Sequence, residues 1–407
     1  MNSNRKKKHI IIITYNVDVF TNPTIDLFFK KLLAQNIGII LIAPPQHIQA
    51  DYSGQVIFIQ APLFVHKFKL FGIRKRLSVL RMYFKLFRNL SSFEKMAVIG
   101  IEPLGFVMAG RLNMIWKKRL GYFSFELLFK DEVLDFFKST GDENYLILKK
   151  NEEKYFKKVD FLVIQDEYRC DTICSENNFR PKKIFLIPVA AVPNEKTPTA
   201  NKLKFKKGLE IPNDKQVIVF SGSLQSWTGM QNLLGKFEEK WDNRFWLLLH
   251  SRIELEKGNW FLERINDLRS KGYSISLHNE PFKNLTDLSD FLSQCDFGLV
   301  CYLPIKHPYA GKNIKEVGLA SGKFSLYMML GLPVLATKCK SYEALIKEYD
   351  FGVLADTMED IPLKLHLLLD HPELRSVACK KLYWRHLFPD EKINELVDHV
   401  QAKQKTL

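Results

Sequence analysis

Short apolar runs alternate with longer segments in which apolar residues recur at every third or fourth position along most of this chain. The short runs are rich in Ile, Val, Leu and Phe, which is typical of strands buried on both faces of a sheet. Strands that alternate with helices in this way predict parallel sheets with helices on both sides. The predicted strands are 9–14, 37–43, 56–60, 96–100, 122–125, 161–165 and 184–188, followed by 216–220, 245–250, 274–277, 297–302 and 333–337.

The alternation breaks between residues 189 and 212, where proline, asparagine and lysine replace the apolar runs. Such a stretch predicts an exposed linker. A chain of 407 residues is too long for one ordinary core and has the length of two domains. The sequence therefore predicts a first domain over 1–195, a linker over 196–212, a second domain over 213–385, and a C-terminal helix over 386–407 that packs back on the first domain.

The composition is that of a folded protein from a reducing compartment. Hydrophobic residues make up 46% of the chain, which is enough for buried cores. The six cysteines show no Cys-x-x-Cys spacing and predict free thiols. The basic start, residues 1–9, leads into only four apolar residues, and no run of about 18 uncharged apolar residues occurs. We therefore expect a cytoplasmic protein without a signal peptide or a membrane-spanning segment.

The net charge of +15 indicates an anionic partner. Residues 64–90 contain eight Lys or Arg and no Asp or Glu, interleaved with aromatic and aliphatic residues. A basic helix with an aromatic face suits an anionic membrane surface. A packed helix with a solvated basic face would show the same pattern, and no signature of a nucleic-acid-binding module accompanies it. We expect peripheral membrane contact through this segment and no binding of nucleic acid.

Two segments of the second half carry candidate chemistry. Neither half contains the Gly-x-Gly-x-x-Gly turn of a dinucleotide site or a P-loop. Residues 221–229 follow the first strand of the second domain, and their small residues would let backbone amides approach an anion. Residues 318–336 predict a loop, a helix that begins near Ser321, a helix-ending Gly331 and a buried strand. Helix-start N–H groups, the helix dipole and Lys323 would converge on one anion such as a diphosphate.

Both segments also have ordinary interpretations. Gly-Ser turns are common without any ligand, and 318–336 would equally suit a simple helix-to-strand connection with a solvated lysine. Taken together, however, the segments resemble the GT-B glycosyltransferases, especially the bacterial enzymes near glycosyltransferase family 4 that build surface polysaccharides. In that family a Ser/Asn-Gly/Pro-Lys-Phe/Leu-x-x-Tyr-Met-x-x-Gly-Leu/Lys-Pro-Val stretch binds the nucleotide-sugar. The matching residues are Ser321, Gly322, Lys323, Phe324, Tyr327, Met328, Gly331, Pro333 and Val334.

The resemblance, which extends more weakly over most of the chain, implies an α/β fold of two Rossmann-like domains with doubly wound parallel sheets and an inter-domain cleft. It implies a nucleoside diphosphate sugar as donor, a glycan or lipid-linked acceptor bound by the first domain, and no metal or cofactor. The sequence has no Asp-x-Asp motif, which agrees with a metal-independent reaction. The donor-binding candidates are Gly222, Ser223, Arg252, Lys312, Ser321, Gly322, Lys323 and Tyr327.

The chain departs from the family pattern at three positions. Leu326 stands where many members place a Glu that hydrogen-bonds the ribose. Ser223 and Thr228 stand where many place an Arg and a Lys that neutralise the diphosphate. The neutralising charge must then come from elsewhere, and the candidates are Lys323, Arg252 and Lys312, in that order.

Transfer from such a donor releases a diphosphate, so catalysis depends on amides and cations that stabilise the leaving charge. The catalytic candidates are Lys323, Glu126 as a base or acceptor contact, and Glu316, which is two residues off the spacing of a sugar-binding Glu in the family. Two alternatives remain. One is a nucleotide-sugar 2-epimerase of the same fold, to which His250 and His278 could contribute, and the other is a non-catalytic partner protein in a polysaccharide complex.

Overall fold

The computed structural model describes residues 8–15, 22–44, 52, 54–61, 93–193 and 201–402. The chain forms two compact units. Unit 1 consists of Met1–Val189, Lys306–Asn313 and Pro389–Leu407, and unit 2 of Ala190–Ile305 and Ile314–Phe388. The chain therefore passes between the units four times. The predicted membrane segment 64–90 and residues 196–200 of the predicted linker lie outside the described residues.

The first stretch of chain alternates strands and helices, as the pattern of apolar runs predicts. Its elements are β1 Lys8–Ile13, α1 Pro23–Ala34, β2 Gly38–Ala43, β3 Val56–Gln60, β4 Glu94–Ile101, α2 Glu102–Trp116, β5 Arg119–Phe123, α3 Lys130–Thr140, α4 Asn144–Phe156, β6 Phe161–Ile164, α5 Glu167–Asn177 and β7 Lys183–Leu186.

The remaining stretch repeats the alternation and ends in helices. Its elements are α6 Lys202–Gly208, β8 Gln216–Gly222, α7 Met230–Gly235, α8 Phe237–Lys240, β9 Phe245–Ser251, α9 Trp260–Ser270, β10 Ile275–His278, α10 Leu285–Leu292, β11 Phe297–Val300, α11 Lys312–Lys315, α12 Gly322–Leu330, β12 Val334–Thr337, α13 Lys340–Leu345, β13 Gly352–Ala355, α14 Asp360–Lys364, α15 Pro372–Leu382 and α16 Asp390–Gln401.

Unit 1 is built on a seven-stranded parallel sheet with the order β3-β2-β1-β4-β5-β6-β7. Successive side chains of β1 enter opposite cores: Ile11 and Ile13 pack on one face, and Ile10 and Ile12 on the other. Such alternation explains why the strand is apolar at every position. The strand order reverses between β1 and β4, so the loops at the carboxyl ends of these two strands diverge and leave a crevice where ligands of α/β sheets bind.

Unit 2 is built on a six-stranded parallel sheet with the order β10-β9-β8-β11-β12-β13. Val217 and Val219 of β8 pack on one face, whereas Ile218 and Phe220 pack on the other. The order reverses between β8 and β11. The segments that follow these strands, which include the predicted anion-binding turn, therefore flank the crevice of this sheet.

The C-terminal helix α16 completes unit 1. One face of this helix is fully buried in the core that also contains Ile10 and Ile12. The residues on that face recur at helical spacing and are Ile393, Leu396, Val397 and Val400.

The prediction of two parallel-sheet α/β domains is confirmed. Each of the twelve predicted strands overlaps an observed one. A thirteenth strand, β13, was missed because it has only four residues and lies at the sheet edge, where β12 is its single partner. Within the predicted linker, residues 202–208 form helix α6, and its buried Lys206 donates to the carbonyl of Lys215 at 2.7 Å.

Candidate active site

The side chain of Lys323 lies at the crevice of the unit 2 sheet. It occupies the first turn of α12, whose start is capped by Ser321 through a bond from the Phe324 amide to Oγ at 3.3 Å. The Lys323 side chain passes the end of β8, and its Nζ lies 3.7 Å from the centre of the Phe220 ring. A Cβ placed on Gly222 would lie 3.3 Å from the same Nζ. The lack of a side chain at Gly222, the last residue of β8, therefore leaves room for the ammonium group.

Lys323 is 7% exposed, and its Nζ has no hydrogen-bond partner among the described residues. Burial and, to a smaller extent, the nearby charge of Arg252 lower the pKa of this amine to about 7. A buried cation without a partner is costly, whereas an anion beside it would be strongly bound. The position suits the charge of a diphosphate, because the free N–H groups at the start of α12 lie on the same turn.

Ser321 and Gly322 begin the same helix. The Ser321 hydroxyl lies 2.6 Å from the hydroxyl of Tyr302, which follows β11. Tyr302 in turn stacks on Trp227 of the segment after β8, with ring centres 6.1 Å apart. Aromatic and hydroxyl contacts thus connect the segments that follow β8 and β11 with the start of α12. Gly322, the first residue of α12, is partly exposed.

Tyr327, a predicted donor contact, is a core residue. Its hydroxyl accepts a hydrogen bond from the Ser221 amide at 2.9 Å and donates to the Val219 carbonyl at 3.0 Å. Its ring packs so closely on Gly298 that a Cβ there would lie 2.4 Å away. Tyr327 therefore holds the carboxyl end of β8 in place from inside the sheet.

Replacing Tyr327 with Phe is expected to lower the free energy of unfolding by about 1–3 kcal/mol, because the buried Ser221 amide loses its partner. Urea unfolding followed by far-UV circular dichroism measures the change. Tyr273→Phe, which removes the hydroxyl of a partly buried tyrosine in the same unit, is the control. Equal stabilities of the Tyr327 variant and the parent would contradict the assigned hydrogen bonds.

The other donor candidates of unit 2 lie at the ends of β8 and β9. Gly222 is buried, with φ 156°. Ser223 is partly exposed and lines a cleft of about 400 Å³ together with Ser251. Arg252 is exposed, and its backbone amide donates to the Gly222 carbonyl at 3.4 Å. These three residues flank the Lys323 crevice, and their contact with a donor stays a prediction.

Lys312 and Glu316 have partners other than a donor. Lys312 belongs to unit 1, where its ammonium pairs with Asp131 and its amide donates to Glu132 Oε1 at 2.7 Å. Glu316 belongs to unit 2 and lies 3.6 Å from Lys340. The donor role predicted for Lys312 and the catalytic role predicted for Glu316 stay predictions.

Glu126 lies in a cluster of buried polar groups at the carboxyl edge of the unit 1 sheet. Asn313 donates to its carboxylate, and its backbone amide donates to Glu102 Oε2 at 3.0 Å. Arg169, which is 1% exposed, donates to the Phe125 carbonyl at 2.6 Å and to Asn313 Oδ1 at 3.2 Å. Burial raises the pKa of Glu126 to about 7, although the charge of Arg169 and the bond from Asn313 oppose the shift.

Sequence reasoning missed three members of this cluster and one of the unit 2 crevice. Glu102 reads as an ordinary residue at a helix start, and Asn313 is 187 positions from Glu126. Arg169 lies five residues after β6, near a strand end where ligand-binding residues of parallel sheets lie, and that position is the signal that could have found it. Tyr302 is the last residue of the predicted strand 297–302, at the strand end where ligand-binding residues of parallel sheets lie.

The one cluster of metal-ligand residue types within the described ranges is Glu167, Cys170 and Asp171, with donor atoms within 4.8 Å of one another. It does not fit a metal well. A hydrogen bond with Cys174 and burial raise the pKa of the Cys170 thiol, whereas a metal binds the thiolate. Asp171 already pairs with Arg180 at 2.7 Å. The expectation that no metal is needed stays a prediction.

Comparison with known proteins supports the fold. No protein-family model and no curated protein matches the sequence. Solved structures do match it over nearly its whole length. A glycosyltransferase from Rickettsia africae ESF-5 is similar with a TM-score of 0.68 at 12% identity, covering 98% of this chain and 100% of that one. The chain has the GT-B fold. Anabaena Alr3699/HepE in complex with UDP shares it, with a TM-score of 0.65 at 11% identity and coverage of 96% and 100%.

A third GT-B structure, sucrose-phosphate synthase from Thermosynechococcus elongatus, matches with a TM-score of 0.62 at 11% identity and coverage of 97% and 96%. No helix in the described part of the chain is long and apolar enough to cross a membrane.

His250 and His278, the candidates for an epimerase, lie in an aromatic cluster with Phe282 in this GT-B protein. His250 Nδ1 is 2.8 Å from the buried Ser221 hydroxyl, and burial lowers its pKa to about 4.

Proposed function

We propose that this chain is a glycosyltransferase that moves a sugar from a nucleoside diphosphate sugar to a glycan or lipid-linked acceptor in bacterial surface polysaccharide synthesis. The observation that carries the proposal is the buried Nζ of Lys323 in the first turn of α12, at the crevice of the unit 2 sheet, which has no hydrogen-bond partner within the described part of the chain. An arrangement of this kind is stabilised by an anion and is costly without one. UDP in the Anabaena GT-B structure supports a nucleoside diphosphate as that anion.

In this proposal the diphosphate binds at the start of α12, with Ser321, Gly322 and Lys323 as its contacts. Gly222 and Ser223 let it approach the end of β8, and Arg252 adds charge at the rim of the crevice. As the bond between sugar and diphosphate breaks, the helix N–H groups and Lys323 stabilise the leaving charge. This supply of charge from the protein supports a reaction that needs no metal.

The test is release of free nucleoside diphosphate from a panel of sugar nucleotides, in the presence of membrane extract as the acceptor source. We expect one donor to give nucleoside diphosphate and an extract-bound sugar, with and without EDTA. Release of free sugar or of an epimer in place of extract-bound sugar would contradict transfer. Failure of every nucleoside diphosphate to bind in calorimetry would overturn the donor site.

Residues 64–90 are expected to bring the enzyme to the cytoplasmic face of the membrane, although they lie outside the described residues. Changing Arg74, Lys75 and Arg76 to Glu should abolish sedimentation with vesicles that contain anionic lipid, because each basic residue contributes about 1 kcal/mol at such a surface. Charge reversal of Lys204, Lys207 and Lys240, three exposed lysines of unit 2, is the matched control. Unchanged sedimentation of the first variant would refute the membrane role.

A further inference from the structure

Lysine side chains line one edge of the unit 1 sheet. All seven strands are parallel, so their first residues lie along the edge opposite the crevice. Seven exposed or partly exposed lysines stand at or just before the starts of β1, β5, β6 and β7: Lys8, Lys117, Lys118, Lys157, Lys158, Lys182 and Lys183. Within the described part of the chain, none of the seven forms an ion pair. We call these seven lysines the strand-start face.

The strand-start face is a row rather than a compact cluster. The strands β1, β4, β5, β6 and β7 are neighbours in the sheet, and neighbouring strands lie about 4.8 Å apart, so the row is roughly 20 Å long. The acidic residues at the starts of these strands are Glu94 and Asp160. Asp160 Oδ2 already accepts the Leu120 amide at 2.7 Å. Most of the positive charge along this edge is therefore not compensated by acidic groups of the described chain.

Part of this charge has an ordinary structural role. The helices α2, α4, α5 and α16 end at the same edge, and each helix end is equivalent to about half a negative charge. Four such ends amount to about two charges, fewer than the seven lysines provide. Arg119 of β5 donates to the His399 carbonyl near the end of α16, and burial and then the charges of Arg119 and Lys183 lower the pKa of His399. Charges from separate strands thus act together at this edge.

Two apolar side chains protrude beside these lysines. Helix α2 ends at the edge with Met114 and Ile115, which are 51% and 56% exposed. The next residue is Trp116, and Lys95 Nζ lies 5.7 Å from the centre of its ring. Apolar side chains flanked by lysines suit the headgroup boundary of a membrane, because the aliphatic groups enter the apolar region while the ammonium groups stay with the phosphates.

We propose that the strand-start face binds the surface of a membrane that contains anionic lipid, with its lysines at the lipid phosphates and with Met114 and Ile115 inserted between the headgroups. A row of charge of this length faces many headgroups of a planar bilayer at once, and each lysine adds to the attraction. The inference goes beyond the proposed glycosyl transfer and does not depend on it. The face does not include residues 64–90.

A charge-reversal variant tests the lysines. Each lysine at such a surface strengthens binding about fivefold, so changing Lys157, Lys158 and Lys182 to Glu should lower the partition coefficient onto vesicles of phosphatidylcholine and phosphatidylglycerol at least 100-fold. The parent should bind phosphatidylcholine alone weakly, and should lose most of its binding to the mixed vesicles in about 1 M salt, where charges are screened within about 3 Å.

The matched control reverses the charge of Lys204, Lys207 and Lys240 of unit 2 and should bind like the parent. Circular dichroism checks that both variants are folded, which we expect because all the changed side chains are exposed. An unchanged partition coefficient of the strand-start variant overturns the inference. If the change of Arg74, Lys75 and Arg76 alone abolishes sedimentation, the membrane role of residues 64–90 stands and this inference fails.

A fluorescent label shows whether this edge itself meets the lipid. All six native cysteines are buried, so a thiol-reactive, environment-sensitive dye attaches to the residue introduced by Ile115→Cys. Its emission should shift to the blue with anionic vesicles. The same dye on Ile253→Cys, at a residue of unit 2 that is 66% exposed, should not shift. A constant emission at position 115 while the protein sediments overturns the inference. Binding of soluble polyglutamate without binding of vesicles also overturns it and assigns the face to an acidic protein. Neither measurement uses a sugar nucleotide, so failure of all donors leaves the result intact.

Discussion

Replacing Lys323 with Met is expected to weaken UDP binding about 10- to 100-fold, because a charge-assisted contact worth roughly 1.5–3 kcal/mol is lost. The same change should stabilise the free protein at pH 7 by several kcal/mol. The pKa of Lys323 is about 7 in the folded protein, well below the usual 10.5, and each pH unit of such a difference corresponds to about 1.4 kcal/mol. Contact with the Phe220 ring offsets part of that cost.

Calorimetry with UDP and thermal unfolding of the ligand-free protein measure the two effects on the same preparation. Lys347→Met, at an exposed lysine of unit 2, controls for the loss of one positive charge. A variant that binds UDP like the parent would remove Lys323 from the donor site. A variant that binds weakly and is also less stable than the parent would show that the lysine is a structural residue.

The affinity of the parent for UDP is expected to fall about tenfold for each pH unit above 7, until the 10- to 100-fold contribution of the charged lysine is lost. An anion raises the pKa of a neighbouring amine, so binding above pH 7 requires Lys323 to take up a proton that the free protein no longer holds. Below pH 7 the amine is already charged, and this dependence disappears. The free energy of unfolding of the ligand-free protein should change in the opposite direction and rise between pH 7 and 10.5. In that range Lys323 keeps its proton in the unfolded chain but loses it in the folded protein.

Calorimetric titration with UDP is carried out at pH 7.5 and 9 and repeated in buffers of different ionisation enthalpy. The comparison gives the number of protons that the protein takes up when UDP binds. Lys323→Met should show no proton uptake and a flat affinity profile over this range. Arg252→Gln, which removes an exposed charge that lowers the Lys323 pKa, should move the onset of the decline to higher pH. A flat profile for the parent would mean that the amine stays charged or lies away from the diphosphate.

The strands of both sheets were predictable because parallel strands buried on two faces need apolar residues at every position, and β1 and β8 show this plainly. The start of α12 was also predictable, since its cap Ser321 and terminating Gly331, with φ 74°, are local signals. Tyr327 shows the limit of such signals. The family motif includes Tyr327 among the residues near the anion-binding turn. In the structure, Tyr327 lies one helical turn after Lys323, and its side chain points into the sheet.

The unit 1 cluster was beyond prediction for a different reason. Glu102, Glu126, Arg169 and Asn313 are each single residues on separate elements, and hydrogen bonds between residues far apart in sequence bring them together. The periodicity of apolar residues in a sequence does not predict which carboxylates are buried. The left-handed backbone conformation of Glu102 was not predictable either, because glycine is the residue that usually indicates such a conformation in a sequence.

The discontinuity of unit 1 has a consequence for biosynthesis. Its core contains Ile393, Leu396, Val397 and Val400, and Asn313 belongs to its polar cluster. A ribosome that adds about 5–20 residues per second reaches Val400 roughly 10 to 40 s after Val189. During that interval the nascent sheet exposes the apolar face that α16 later covers. A fragment that ends at Val189 should therefore aggregate or recruit chaperones, and co-expression of the remaining chain in trans should reduce this.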